Sequence, residues 1–170
     1  MRSVLAVGSI AMLLAAAGCG GGSSGSGGGG GPYGGSGSKP AASTTSQGAG
    51  LSIALGSTSL GRFVVGTQGR TLYLFQGDKG NTSTCYGACA SAWPPATTGS
   101  AAAQAGSGVN AGMLGTTTRR DGTHQVTYGG HPLYYFSGDS QAGQTTGEGS
   151  HAFGADWYVV AASGKKIDKS

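Results

Sequence analysis

The sequence predicts a mainly β protein: a single compact antiparallel β domain built from two related hairpin-containing repeats, preceded by a disordered Gly/Ser tether. Three observations carry this. Leu72-Tyr73-Leu74-Phe75-Gln76-Gly77-Asp78 returns as Leu133-Tyr134-Tyr135-Phe136-Ser137-Gly138-Asp139; with Val65 set on Val126, six identities fall at one offset of 61. Self-similarity at a fixed offset means one supersecondary unit used twice. Short β-branched and aromatic runs lie between Gly-rich turns, and helical periodicity is missing almost everywhere.

At the N-terminus Arg2 supplies a positive start, Val4 to Ala17 is apolar and small, and Ala16-Ala17-Gly18 leads into Cys19. The apolar run falls short of the roughly 18 residues of a membrane-spanning helix, so residues 1–18 read as a signal peptide. A cysteine directly after small residues resembles a bacterial lipobox, which predicts lipidation at Cys19, although Ala16 stands where Leu is usual. Residues 19–50 continue as Gly, Ser, Ala and Thr without apolar spacing, too little burial to offset the entropy of ordering. A leash of about 30 such residues reaches roughly 30 Å.

Residues 51–170 form the predicted β domain, with repeats over about 62–98 and 123–162. Leu51 to Leu55 alternates as a first strand would. Arg62 to Val65 is a second strand, turned at Gly66-Thr67-Gln68-Gly69 into Thr71 to Phe75, which Gly77-Asp78-Lys79-Gly80-Asn81 closes. Residues 85–92 are Ala-rich enough for one or two helical turns, stopped by Pro94-Pro95. Ala96 to Gly108 reads as a loop. Met113 to Arg119 is a strand before the Asp121-Gly122 turn, and Gln125 to Tyr128 pairs across Gly129-Gly130 with Pro132 to Phe136. Gly138 to Gly149 is a second long loop, and Asp156 to Ala161 the last strand.

The formal net charge is +4 over the whole chain. In residues 51–170 eight Lys/Arg stand against six Asp/Glu, scattered without a basic stripe, so no nucleic-acid partner is expected. With Cys19 assigned to the lipid, Cys85 and Cys89 are an even pair in an exported chain and read as a disulfide. A thiol redox pair or a soft-metal site, with Met113 or a nearby His, is the alternative.

At this point Tyr73-Leu74-Phe75-Gln76-Gly77-Asp78 and Tyr134-Tyr135-Phe136-Ser137-Gly138-Asp139 both fit Y-x-[FWY]-x-x-D. Cys85-Tyr86-Gly87-Ala88-Cys89-Ala90 running to Trp93-Pro94-Pro95 is a second motif. Together they resemble a family of bacterial secreted-repeat lipoproteins known by its Y-x4-D motif. The resemblance spans about residues 60–162. It implies export and commonly a lipid anchor; the family's function is uncharacterised, so no catalytic residue or cofactor carries over. The second repeat lacks the cysteine pair and has Trp157-Tyr158 where the first has Trp93-Pro94.

The candidate site residues are those of the motif. Tyr73 and Phe75 share a strand face, as do Tyr134 and Phe136, with Leu72, Leu74, Leu133 and Tyr135 on the other. With Trp93 and Trp157 they read as an aromatic core at a pseudo-twofold interface, in preference to a ligand-stacking platform. Asp78 and Asp139 read as turn-fixing acceptors in preference to a metal or acid/base pair. His124, His131 and His151 lack zinc-ligand spacing, Glu148 is the only Glu, and no nucleophile elbow occurs in residues 51–170. The expectation is therefore a lipid-anchored, non-enzymatic envelope module without cofactor. It meets the membrane through Cys19 and binds an unidentified envelope protein or small ligand. The alternative is an envelope redox or soft-metal protein using Cys85 and Cys89.

Overall fold

The computed structural model describes residues 50–168; the predicted signal peptide, Cys19 and most of the tether lie outside them. The described part is mainly β and largely antiparallel. The first repeat opens with β1 (Ser52–Thr58) and β2 (Gly61–Val65), a hairpin in which Ala54 faces Val65 and Thr58 faces Gly61. After the turn come β3 (Tyr73–Phe75), the short helix α1 (Ala88–Ala92) and β4 (Thr97–Thr98). The stretch expected as a loop, Ala96 to Gly108, holds both β4 and β5 (Gln104–Ala105), the latter parallel to β1, and a 3-10 turn capped by Asn110 follows it. The second repeat brings β6 (Leu114–Thr118), β7 (His124–Tyr128) and β8 (His131–Pro132), followed by β9 (Ser150–Ala152) and β10 (Ala155–Val159).

Three sheets result, ordered β2-β1-β5, β3-β10-β9 and β4-β7-β6, with β8 also on β7. The orders show that the repeats are interlaced rather than set side by side. β10, from the second repeat, pairs with β3 of the first, with Trp157 opposite Phe75. β4, from the first repeat, pairs with β7 of the second. Each tryptophan segment thus completes the other repeat.

The exchange is closed by two matching rings of backbone hydrogen bonds. Val64 N donates to Val160 O (2.8 Å), Val160 N to Leu72 O (3.2 Å) and Leu72 N to Val64 O (3.0 Å). Val126 N donates to Ala96 O (2.8 Å), Ala96 N to Leu133 O (2.9 Å) and Leu133 N to Val126 O (3.0 Å). Val160 and Ala96 each lie three residues past a tryptophan. The rings also set Val126 on Val64 rather than Val65, because the turn before Leu72 is one residue longer than the turn before Leu133.

Reciprocal contacts of this kind are what a twofold axis generates. At its centre Tyr73 N donates to Tyr134 O (2.8 Å) and Tyr134 N to Tyr73 O (2.9 Å). Two buried clusters flank the interlaced strands. One gathers Ile53, Val64, Leu72, Leu74, Val126 and Leu133 with their neighbours. The other holds the motif aromatics, both tryptophans and both cysteines.

Candidate functional site

The period of two along β3 sends Tyr73 and Phe75 to one side and Leu72 and Leu74 to the other. The same holds for Tyr134 and Phe136. Across the axis the rings form one column: Phe75 stacks on Trp157 at 4.2 Å, Trp157 on Trp93 at 4.0 Å, and Trp93 meets Phe136 at 4.4 Å. The two indoles are parallel within 5°. Tyr73 stands edge-on to Trp93 at 5.3 Å and Tyr134 edge-on to Trp157 at 5.2 Å. Edge-to-face and offset pairs each add about 0.5–1.5 kcal/mol beyond burial. Both tryptophans and both tyrosines are buried.

A buried tyrosine needs a partner for its hydroxyl, and here each takes it from the opposite repeat. Tyr73 Oη donates to Asp139 Oδ2 at 2.5 Å, and Tyr134 Oη donates to Asp78 Oδ2 at 2.8 Å. The second carboxylate oxygen fixes each aspartate's own turn. Asp78 Oδ1 accepts from Thr84 N (2.7 Å) and Thr84 Oγ1 (3.1 Å), while Asp139 Oδ1 accepts from Thr146 N (3.1 Å) and Thr146 Oγ1 (2.5 Å). The Y-x4-D motif therefore does two jobs at once. Turn fixing was visible in the sequence; the bond to the other repeat's tyrosine was not.

The glycine before each aspartate is set by the neighbouring ring. A Cβ on Gly77 would meet Phe75 Cε1 at 2.5 Å, and one on Gly138 would meet Phe136 Cε1 at 2.5 Å. No real side chain tolerates that distance without displacing the ring.

The pairs differ in their surroundings. Asp139 is buried and Asp78 is half-buried. Burial pushes the Asp78 carboxyl above the ordinary aspartate value, partly offset by its Thr84 and Tyr134 bonds and by the nearby Arg119 charge. Burial, followed by the Asp139 bond and charge, raises the Tyr73 hydroxyl well above the tyrosine range. Tyr134 is raised as well, by burial first and the Asp78 charge second.

Arg119 is a buried cation that sequence reasoning passed over as one of several scattered basic residues. Its guanidinium donates to Ser83 Oγ, Gln125 Oε1 and Cys85 O, each at 2.7 Å. Ser83 Oγ also lies 2.8 Å from Tyr134 Oη, joining this network to the Asp78 pair. The sequence neighbourhood of Arg119 does not set it apart, since Arg120 beside it precedes the same Asp121-Gly122 turn and is exposed. Tyr135 faces the other way and takes Arg70 over its ring at 4.6 Å, while its Oη accepts from Thr67 N.

Cys85 and Cys89 are disulfide-bonded, with Cα atoms 5.2 Å apart, and α1 carries Cys89 toward Trp93. Their exposures of 1% and 7% leave the sulfurs little access to solvent. The histidines stay apart in role: His151 Nδ1 pairs with Asp156 Oδ1 at 2.6 Å on the surface, and His124 lines a shallow groove. That groove, about 200 Å³, lies under the 98–102 segment beside Thr98 and Thr116. Among the described residues no three His, Cys, Asp or Glu side chains are grouped to hold a metal ion.

An interlaced pair of β repeats, joined by reciprocal tyrosine–aspartate bonds, defines the class: a duplicated repeat protein. A family model described as a secreted repeat of unknown function matches residues 55–97 and 115–161. The chain belongs to this family, and the description supports export. No curated protein and no solved structure matches it.

Proposed function

We propose that the protein is a lipid-anchored, non-enzymatic module of the bacterial cell envelope, acylated at Cys19 and held off the membrane by the 20–50 leash. One observation supports the non-enzymatic reading above others: the motif spends its polar groups on itself. Both Tyr hydroxyls and both Asp carboxylates are satisfied inside the domain. Binding, to an envelope protein or a small ligand, then belongs to the outer surface. The anchor is tested in cells by labelling with an alkyne fatty acid and following Cys19→Ser. The expected result is loss of label and release from the membrane fraction; membrane retention of an unlabelled variant would reject the anchor. For the catalytic question, any turnover found must survive Asp78→Asn in folded protein, because a dependence on that carboxylate contradicts a purely structural motif.

The redox reading of Cys85 and Cys89 has less support. Thiol exchange requires attack on an accessible sulfur, and these two are buried against the aromatic column. Reduction of the native protein by a dithiol at a rate matching a free peptide disulfide would reinstate it.

A further inference from the structure

The contacts at the axis depend on residues of the halves alone. The connector between the halves packs on each in turn: Gly106 N donates to Ile53 O of the first, and Asn110 N to Tyr128 Oη of the second. The Tyr73–Tyr134 backbone pair, the crossed tyrosine–aspartate bonds and the exchanged tryptophan segments would form equally between two chains. We propose that the protein recognises a second copy of itself through this same face, giving a reciprocal dimer in which residues 50–98 of each chain are completed by residues 114–168 of the other.

What selects the monomer is the connector, Gly99 to Met113. β4 and β6 lie on opposite edges of β7 and both run antiparallel to it. Thr98 faces His124 and Leu114 faces Tyr128, so the chain must travel back four residues and across two strand spacings. That is roughly 17 Å through the sheet, and more around its face, from about 3.4 Å per residue and 4.8 Å per strand. Fifteen connector residues reach about 50 Å when extended and close the path easily. Two residues, spanning about 11 Å, cannot. While the chain is unfolded, a link of this length gives an effective concentration in the millimolar range. The monomer therefore dominates at micromolar chain, and pairing with a neighbour competes as folding chains become concentrated.

The test uses the full chain carrying Cys19→Ser, so that neither lipid nor a stray thiol drives association. It is unfolded with its disulfide intact and refolded at about 1 μM and about 1 mM, below and at the effective concentration of the link. Light scattering after size exclusion should find monomer at the lower concentration. At the higher one the dimer fraction should rise at least tenfold and persist on dilution, because exchange back requires opening the interlaced core. A chain with two residues in place of Gly99–Met113 should be dimeric even when dilute. That change also removes the β5 bonds, so a protease site at Ala101 provides an independent arm. Two isotopically distinct preparations are cleaved, unfolded together and refolded, and native mass spectrometry should show mixed one-to-one pairs of halves. Halves that refold separately, halves that fail to recover where uncut chain does, or a folded short-connector variant that stays monomeric would each overturn the proposal.

Discussion

At the residue scale the crossed bonds make a direct prediction. Tyr73→Phe leaves the buried Asp139 carboxylate with only its Thr146 partners, and an unsatisfied buried polar group costs about 1–3 kcal/mol. Denaturant unfolding of the two singles and the Tyr73→Phe/Asp139→Asn double should give a coupling energy of at least about 0.5 kcal/mol, as contacting residues do. Additive singles would mean the bond is not made. The pH response follows from Asp78. Because burial raises its folded value above 3.8, the folded state holds the proton more tightly than the unfolded one. Its contribution is therefore fully present below 3.8 and lost as pH rises through the folded value. Wild-type protein should gain in Tm between neutral pH and about pH 4, the ordinary aspartate range. Asp78→Asn should flatten that part of the profile. Glu148, raised first by burial, acts with the same sign, while Asp121, lowered by its Thr123 bonds, acts oppositely at the acid end. These roles were half legible beforehand. An aspartate after glycine at a strand end announces a turn, but which tyrosine it meets is set by a contact 66 residues away, and no local pattern encodes that.

At the element scale, most strands were readable because β-branched and aromatic runs ended at glycines. The expected hairpin of Arg62 to Val65 with Thr71 to Phe75 is reduced to the Val65–Thr71 bridge, because β2 pairs with β1 and β3 with β10. β5 and β9 were not readable. Each is short, and its pairing comes from a neighbour distant in sequence or from a hairpin without apolar alternation. Phe153 shows the difficulty, since it occupies a left-handed turn position at φ 57° where glycine or asparagine would have signalled a hairpin. The motif glycines give a cleaner test. Gly77→Ala and Gly138→Ala should each destabilise by about 1–3 kcal/mol through overpacking against the phenylalanine ring, read as a lower denaturation midpoint with an unchanged m-value. Relief by a second change, Phe75→Leu with Gly77→Ala, would tie the cost to that contact. The disulfide closes a small loop, so the Cys85→Ser/Cys89→Ser pair should stay folded and lose about 2 kcal/mol. Complete unfolding of that variant would show that α1 cannot hold the Ser83–Arg119 network without it.

For the whole molecule, duplication and an aromatic core at a pseudo-twofold axis followed from the six matched identities. The interlacing did not. Sequence periodicity says that two units exist, while strand exchange is decided by where the chain runs after each tryptophan, through stretches too short to carry a pattern. Exchange makes the halves inseparable, so unfolding should be a single transition with coincident fluorescence and circular dichroism curves. The stacked Trp93 and Trp157 should give an exciton couplet in circular dichroism. Trp93→Phe or Trp157→Phe, each of which breaks the pair, should abolish it.

The ring through Val64, Leu72 and Val160 carries one more implication, for biogenesis. A chain delivered from its N-terminus has the first two corners of that triangle early and must wait almost to its end for the third. Until then β3 lacks its β10 partner, and only the β2-β1-β5 sheet can be built from the leading part of the chain. For an exported chain the native core then waits on the strand that emerges last, and strand order sets the timing.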